Sequence, residues 1–221
     1  IGSVLGGVIG WIIGFYFGED LNFGSSGDWT GTNHFVITQL SFDLKKTLLN
    51  YEIYNHRHSP IYLTFLSFFL KIGFSYDFIR FFHLNLSLLL VYFFYKCLIL
   101  KFSSVDKKLL LILSLSFFLS PTFRSLAIWP DSRLLGLTLF TLSIYYFLKF
   151  EDTKNFKFAI YNVIALAFSA YVSPNFSVFS IFFLLKFTNH LVFFSKKILS
   201  LIIINLILAL PAFYYIFVLD I

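Results

Sequence analysis

The chain has 221 residues, of which 58% are hydrophobic, 22% aromatic and only 13% charged, and its net charge is +6. Soluble domains run near 45–50% apolar and about 25% charged, so this composition, with a mean hydropathy of +0.83, excludes an ordinary water-soluble fold. The positive charge sits mostly as lysines in short connections between apolar runs, which orients helices in a membrane and offers no basic face to nucleic acid.

Apolar runs recur along the whole chain without period-two alternation, which predicts helices rather than a membrane barrel. The expected fold is all-α: a polytopic membrane helix bundle with a long outer-face first loop containing interfacial amphipathic helices. It reads as one transmembrane domain over residues 1–221, with a first helix over 1–17, the outer loop over 18–76 and the bundle over 77–221. Beginning at Ile1, lacking methionine and stopping at Ile221 just after an apolar run, the chain is expected to be a portion of a longer protein. The first helix is followed by GEDLNFG and not by a small-residue cleavage site, so it is read as retained. Gly2, Gly6, Gly10, Gly14 and Gly18 recur at every fourth position and predict a flat face for a neighbouring helix.

Residues 18–60 form the long polar segment, with GEDLNFGSSGDW at its start and NHRHSP at its end. Within it Phe35, Ile37, Leu40, Leu44, Leu48 and Leu49 recur at helical spacing, predicting an amphipathic helix on the membrane. The next run, 61–70, is short and is assigned to a helix in or dipping into the outer interface, whereas 78–100 is long enough to cross. Further runs cover 109–119, 134–148, 158–172, 176–185 and 198–218. Lys96, Lys101, Lys107 and Lys108 surround one connection, Lys149, Lys154 and Lys157 a second, and Lys186, Lys196 and Lys197 a third. The positive-inside rule places all three in the cytoplasm and puts the lysine-poor stretches SPTFRSLAIWPDSR and YVSPNF outside, with the long polar loop. Cys97, the single cysteine, excludes an internal disulfide and a cysteine-based zinc site.

Asp28 stands beside an apolar boundary, where partial desolvation raises a carboxylate's basicity, and is the first candidate for a general base; Glu19 and Asp20 follow. GSSGDW also suits a plain turn, and Glu19 with Asp20 suits the wet end of the first helix. His56, Arg57 and His58 suit phosphate binding or proton transfer, or a solvated interfacial cluster, and lack the i, i+4 spacing of helical metal ligands. Arg124, Asp131 and Arg133 share one outer stretch; arginine matches a phosphate bidentately, and Arg133 precedes an apolar run at headgroup depth. An ion pair of Asp131 with either arginine is the structural alternative. No nucleotide-binding loop or nucleophile elbow is present, so a donor would be lipid-borne.

In organisation and short strings the chain resembles the GT-C superfamily of integral membrane glycosyltransferases, near the protein O-mannosyltransferases and lipid A aminoarabinose transferases. HSPIYLTFLSFFLKIGFSYDFIRFFHLNLSLLLVYFFYK, residues 58–96, is similar to their HPPLYY segment with the helix that follows, with Ser59 in place of the first proline. LSPTFRSLAIWPDSRLLGLTLFTLSIYYFLKF resembles their stretch in which an SP pair precedes an outer-face arginine, with Arg133 at the matching position. The family's first-loop acid is often paired as DE or DD, whereas Trp29 follows Asp28, which leaves the base open among Asp28, Glu19 and Asp20.

The resemblance implies transfer of a sugar from a polyprenyl-phosphate donor, with inversion, to an acceptor at the outer face of a bacterial inner membrane. Asp28 would deprotonate the acceptor, and Arg133 with His58 or Arg57 would hold the leaving phosphate, without a dissociable cofactor. Some relatives bind a divalent metal through acidic motifs, and no convincing ligand set stands out in this sequence. Membrane lipid is the expected surroundings and the acceptor is not specified. A transporter or flippase for a lipid-linked or anionic solute, or a non-catalytic subunit, is the alternative; a transporter predicts internal repeats and mid-membrane polar residues, of which Asn162 and Asn205 are the main examples.

Overall fold

A computed structural model describes residues 2–19, 24–54, 59–192 and 195–218. Among them every regular element is helical.

Helix α1 (Gly2–Phe17) stops where its sequence changes. Gly18 adopts φ +69°, and the Glu19 amide donates back to the Gly14 carbonyl at 2.8 Å, a closure that needs a residue tolerant of the left-handed region. The glycine face is used in part. A Cβ on Gly7 would stand 2.8 Å from the Phe118 carbonyl oxygen and one on Gly14 2.5 Å from a Glu19 carboxylate oxygen, whereas Gly2 and Gly6 meet open space. The close approach therefore follows Gly7, Gly10 and Gly14, and its partners are Ser116–Leu119 and α8, described below. Gly7→Ala is expected to lower stability by about 1–3 kcal/mol, because backbone atoms cannot give way, while Gly6→Ala leaves it unchanged or raised by up to about 1 kcal/mol through helix propensity. Thermal unfolding of both variants in one detergent checks the contrast.

Where it is described, the polar segment is largely helical. GSSGDW is not a turn: α2 (Gly24–Asp28) runs through a π-helical stretch, Trp29–Asn33, into α3 (His34–Phe42), with Asp28, Asn33 and His34 all in the right-handed region. The His34 amide reaches back to the Trp29 carbonyl. Asp43 ends this helix in extended conformation, and its carboxylate caps α4 (Leu44–Leu49) by accepting from the Lys46 amide at 2.9 Å. The single amphipathic helix expected over this region is thus two. Nor does α3 lie only on a surface: Val36, Ile37 and Leu40 are buried, and α3 packs against α5 (Pro60–Lys71), while Phe35, Leu44 and Leu49 are exposed.

Ser59 and Pro60 start α5, which is 12 residues long and shorter than the roughly 20 a straight crossing needs. Its Tyr62, Leu63 and Leu66 are fully buried, so it belongs to the core more than an interfacial helix would. Helices α6 (Tyr76–Lys101) and α9 (Ser132–Thr153) are long and apolar enough to cross a membrane. A third crossing is counted if α7 (Lys107–Leu115), continued by Ser116–Leu119, is taken together with α8 (Pro121–Ile128) across a 74° bend. The stretch SPTFRSLAIWPDSR is therefore largely helix, started by Ser120 as cap and Pro121 in the first turn.

After α9 come α10 (Phe156–Val172), a 3-10 turn over Pro174–Val178, α11 (Phe179–Thr188) and α12 (Lys196–Val218). Helix α9 packs along both α6 and α10, and α10 along α12. Arg133 lies in the first turn of α9 and Lys154 caps its other end, about 32 Å away at 1.5 Å per residue. Large apolar side chains remain exposed on α1, α6 and α12, among them Ile9, Leu88 and Ile207, as expected where the solvent is lipid.

Candidate functional site

Helix α9 begins where it does because Asp131 is extended and its Oδ1 accepts the Arg133 amide at 2.6 Å, a side-chain cap at the helix start. The same carboxylate grips the Arg133 side chain. Nε donates to Oδ1 at 2.9 Å and Oδ2 at 3.0 Å, and Nη2 donates to Oδ2 at 2.5 Å. The Asp131 side chain is 1% exposed and Arg133 45% exposed, so the pair is buried on the acid side and open on the other. On that open side Nη2 also donates to Asp28 Oδ2 at 2.7 Å, joining residues 105 apart in sequence. Two carboxylates thus share one guanidinium.

The break between α8 and α9 holds this geometry, because each of its three residues is fastened. The Trp129 indole donates to the Glu19 carbonyl at 3.0 Å, and its ring carries the Arg80 guanidinium 4.2 Å above its centroid. The Pro130 carbonyl accepts from the buried Asn33 amide at 3.0 Å. Asn33 follows Asp28 by five residues on the same helical stretch, so this bond sets Asp28 opposite Arg133. Trp29, buried and edge-on to His34 and Tyr76, fixes the helix against α6.

Behind Asp131 lies a buried histidine. His83 Nδ1 is 2.5 Å from the Tyr62 hydroxyl, and Nε2 is 2.8 Å from the Leu126 carbonyl and 3.4 Å from the Asp131 amide nitrogen. Nε2 cannot donate to the carbonyl and accept from the amide at once; the shorter carbonyl contact makes Nε2 the donor, leaving Nδ1 to accept from Tyr62. A neutral ring so placed joins α5, α6 and α8 beneath the site.

Glu19 and Arg124 form a separate pair. Arg124 Nε donates to both carboxylate oxygens, at 3.1 and 2.9 Å, Nη2 to Oε1 at 2.6 Å, and Nη1 to the Phe118 carbonyl at 2.9 Å. This fork holds the end of α1 to α8, so Glu19 is committed to an arginine other than Arg133. Ser173, expected in an outer turn, packs on α9 one turn beyond Arg133: a Cβ on Gly136 would lie 2.7 Å from that of Ser173.

Of the sequence candidates, the structure brings Asp28, Asp131 and Arg133 together and sets Glu19 with Arg124 in a second pair. Asp20, His56, Arg57 and His58 lie outside the described residues. Among the described residues no group of three or more His, Cys, Asp or Glu could hold a metal ion. Asn33 is the site residue that sequence reasoning misses, although it carries a signal, being a polar residue in the buried stripe of Trp29, Val36, Ile37 and Leu40. Compared with known families, curated proteins and solved structures, the chain matches none.

Proposed function

We propose that the chain is a membrane glycosyltransferase of the GT-C kind, or the portion of one that holds its reacting groups, moving a sugar from polyprenyl phosphate to an acceptor at the outer face of a bacterial inner membrane. The observation that carries this reading is the 2.7 Å contact of Arg133 with Asp28, which unites a phosphate-binding cation and a proton acceptor drawn from two distant parts of the chain. The two long apolar helices, and the bent third pair, supply the membrane setting.

In the reaction the acceptor oxygen attacks the anomeric carbon and gives its proton to Asp28. The bond from that carbon to the phosphate oxygen breaks, and its electron pair leaves with the phosphate. The donor phosphodiester carries one negative charge and the departing monoester two, so a guanidinium preset by Asp131 holds the phosphate more tightly as the bond breaks. Asp28 contacts Arg133 through one oxygen and is 52% exposed, whereas Asp131 is held by four hydrogen bonds. The incoming phosphate therefore displaces Asp28 and leaves Asp131 in place, which frees the base as the substrate enters.

The 74° break between α7 and α8 also suits a transporter, where broken helices line a substrate path. One experiment separates the two. Wild-type protein in vesicles, given a panel of polyprenyl-phosphate-linked sugars with alcohol acceptors, is expected to release polyprenyl phosphate, and Arg133→Gln to release about 100-fold less, as when one transition-state donor is lost. Movement of the intact donor between leaflets with no release from any of them overturns the transferase reading.

A further inference from the structure

A second polar feature lies inside the bundle. Helices α10, α11 and α12 enclose a cavity of about 120 Å³ whose walls are mostly apolar, Phe183 among them, yet three polar side chains reach it: Asn162, Ser180 and Asn205. Asn162 is fully buried. Its Nδ2 donates to the Ser143 carbonyl of α9 at 2.8 Å, which fixes the amide's orientation and leaves Oδ1 without a donor. The side chains of Ser180 and Asn205 make no hydrogen bond among the described residues. Unpaired polar groups in an apolar interior are costly, and polar residues between membrane helices either bond across to a neighbour or face a ligand or pathway.

The chemistry of the cavity narrows the occupant. No charged side chain lines it, so the ligand is neutral. Asn162 Oδ1 needs a donor, while Asn205 and Ser180 both donate and accept, and a hydroxyl group meets the two needs at once. The volume is well above the roughly 10–15 Å³ that one water requires, and the apolar walls leave a cluster of waters unsatisfied. Ile181 and Leu206, 65% and 56% exposed, stand at its edge between α11 and α12, so it opens sideways toward the lipid-facing surface. We infer that this cavity binds the hydroxyl end of a neutral membrane lipid, entering from the hydrocarbon phase, with the hydroxyl donating to Asn162 Oδ1 and accepting from Asn205 or Ser180. The site stands apart from the transfer reaction and holds whether or not that reading does.

The full chain in phosphatidylcholine nanodiscs is titrated with 1-dodecanol and with dodecane at equal mole fractions in the bilayer, and unfolding is followed by circular dichroism. Dodecanol is expected to raise the melting temperature saturably and dodecane not to. Asn162→Leu is expected to weaken the half-saturating fraction about tenfold, the loss of one hydrogen bond. Asn205→Leu, at a less buried position, is expected to act in the same direction and decides the matter if Asn162→Leu does not fold. An equal response to dodecane, no saturable response to either additive, as a merely water-filled cavity would give, or unchanged half-saturation in the variants overturns the inference.

Discussion

Under the proposed transferase reading, Asp28→Asn is expected to lower sugar transfer about 100- to 10,000-fold, the span for removal of a positioned general base, and at the same time to tighten binding of the lipid phosphate. The two effects have separate causes. Asparagine cannot take the acceptor's proton, so the chemical step loses its base. Asparagine also carries no charge, so it neither competes for Arg133 Nη2 nor repels the incoming phosphate. The ion pair it replaces is half exposed on both sides, and such pairs contribute about 0–1 kcal/mol, so folding is left nearly intact and phosphate binding gains by up to about fivefold. Single-turnover transfer and titration with an alkyl phosphate in the same nanodiscs read the two effects independently. Retained turnover would remove Asp28 as the base. Lost turnover with unchanged phosphate affinity would keep the base and remove Arg133 as the group that Asp28 masks.

Much of this arrangement is legible in the sequence, and the remainder has identifiable physical reasons. Every apolar run after the first polar segment corresponds to a helix, because hydrophobicity and length are local properties. Pro60 marks a helix start by composition, whereas the stretch after Ser120, read from loop charge as an outer connection, is largely helix, capped by Ser120 with Pro121 in its first turn. GSSGD defeats such reasoning: its glycines and serines favour a turn, while long-range contacts, among them Trp29 against Tyr76 and the Asn33 bond to Pro130, hold it helical. The π-helical stretch that follows Asp28 has no compositional mark; it is a register adjustment that lets both ends of one helix dock, and such stretches are frequent at functional sites. Loop charge predicts one side of the membrane for Asp28 and Arg133, yet no local pattern says which acid meets which arginine. That pairing depends on contacts spanning about a hundred residues, as does Glu19's commitment to Arg124.

Asp131→Ala is expected to have the largest effect on stability in the cluster, about 2–4 kcal/mol. The figure joins a lost helix cap, about 1 kcal/mol, to hydrogen bonds made by a charged donor, about 1.5–3 kcal/mol, and the partial exposure of Arg133 keeps it below the 3–5 kcal/mol typical of a fully buried broken pair. Asp131→Asn retains one oxygen for the Arg133 amide but cannot receive the two-point grip of the side chain, so it falls between wild type and alanine. The functional consequence runs opposite to that of Asp28→Asn. Without Asp131 the guanidinium keeps one carboxylate among the described residues, Asp28, and that pair becomes one to one; a phosphate must then displace Asp28 from a side chain no longer held in place. Alkyl phosphate affinity is expected to fall in Asp131→Ala and to recover in Asp131→Ala/Asp28→Asn, measured alongside thermal unfolding of each variant. Failure to recover in the double variant would mean that Asp131 acts by fixing Arg133 alone, and an unchanged melting temperature in the single variant would mean that the buried carboxylate does not anchor α9.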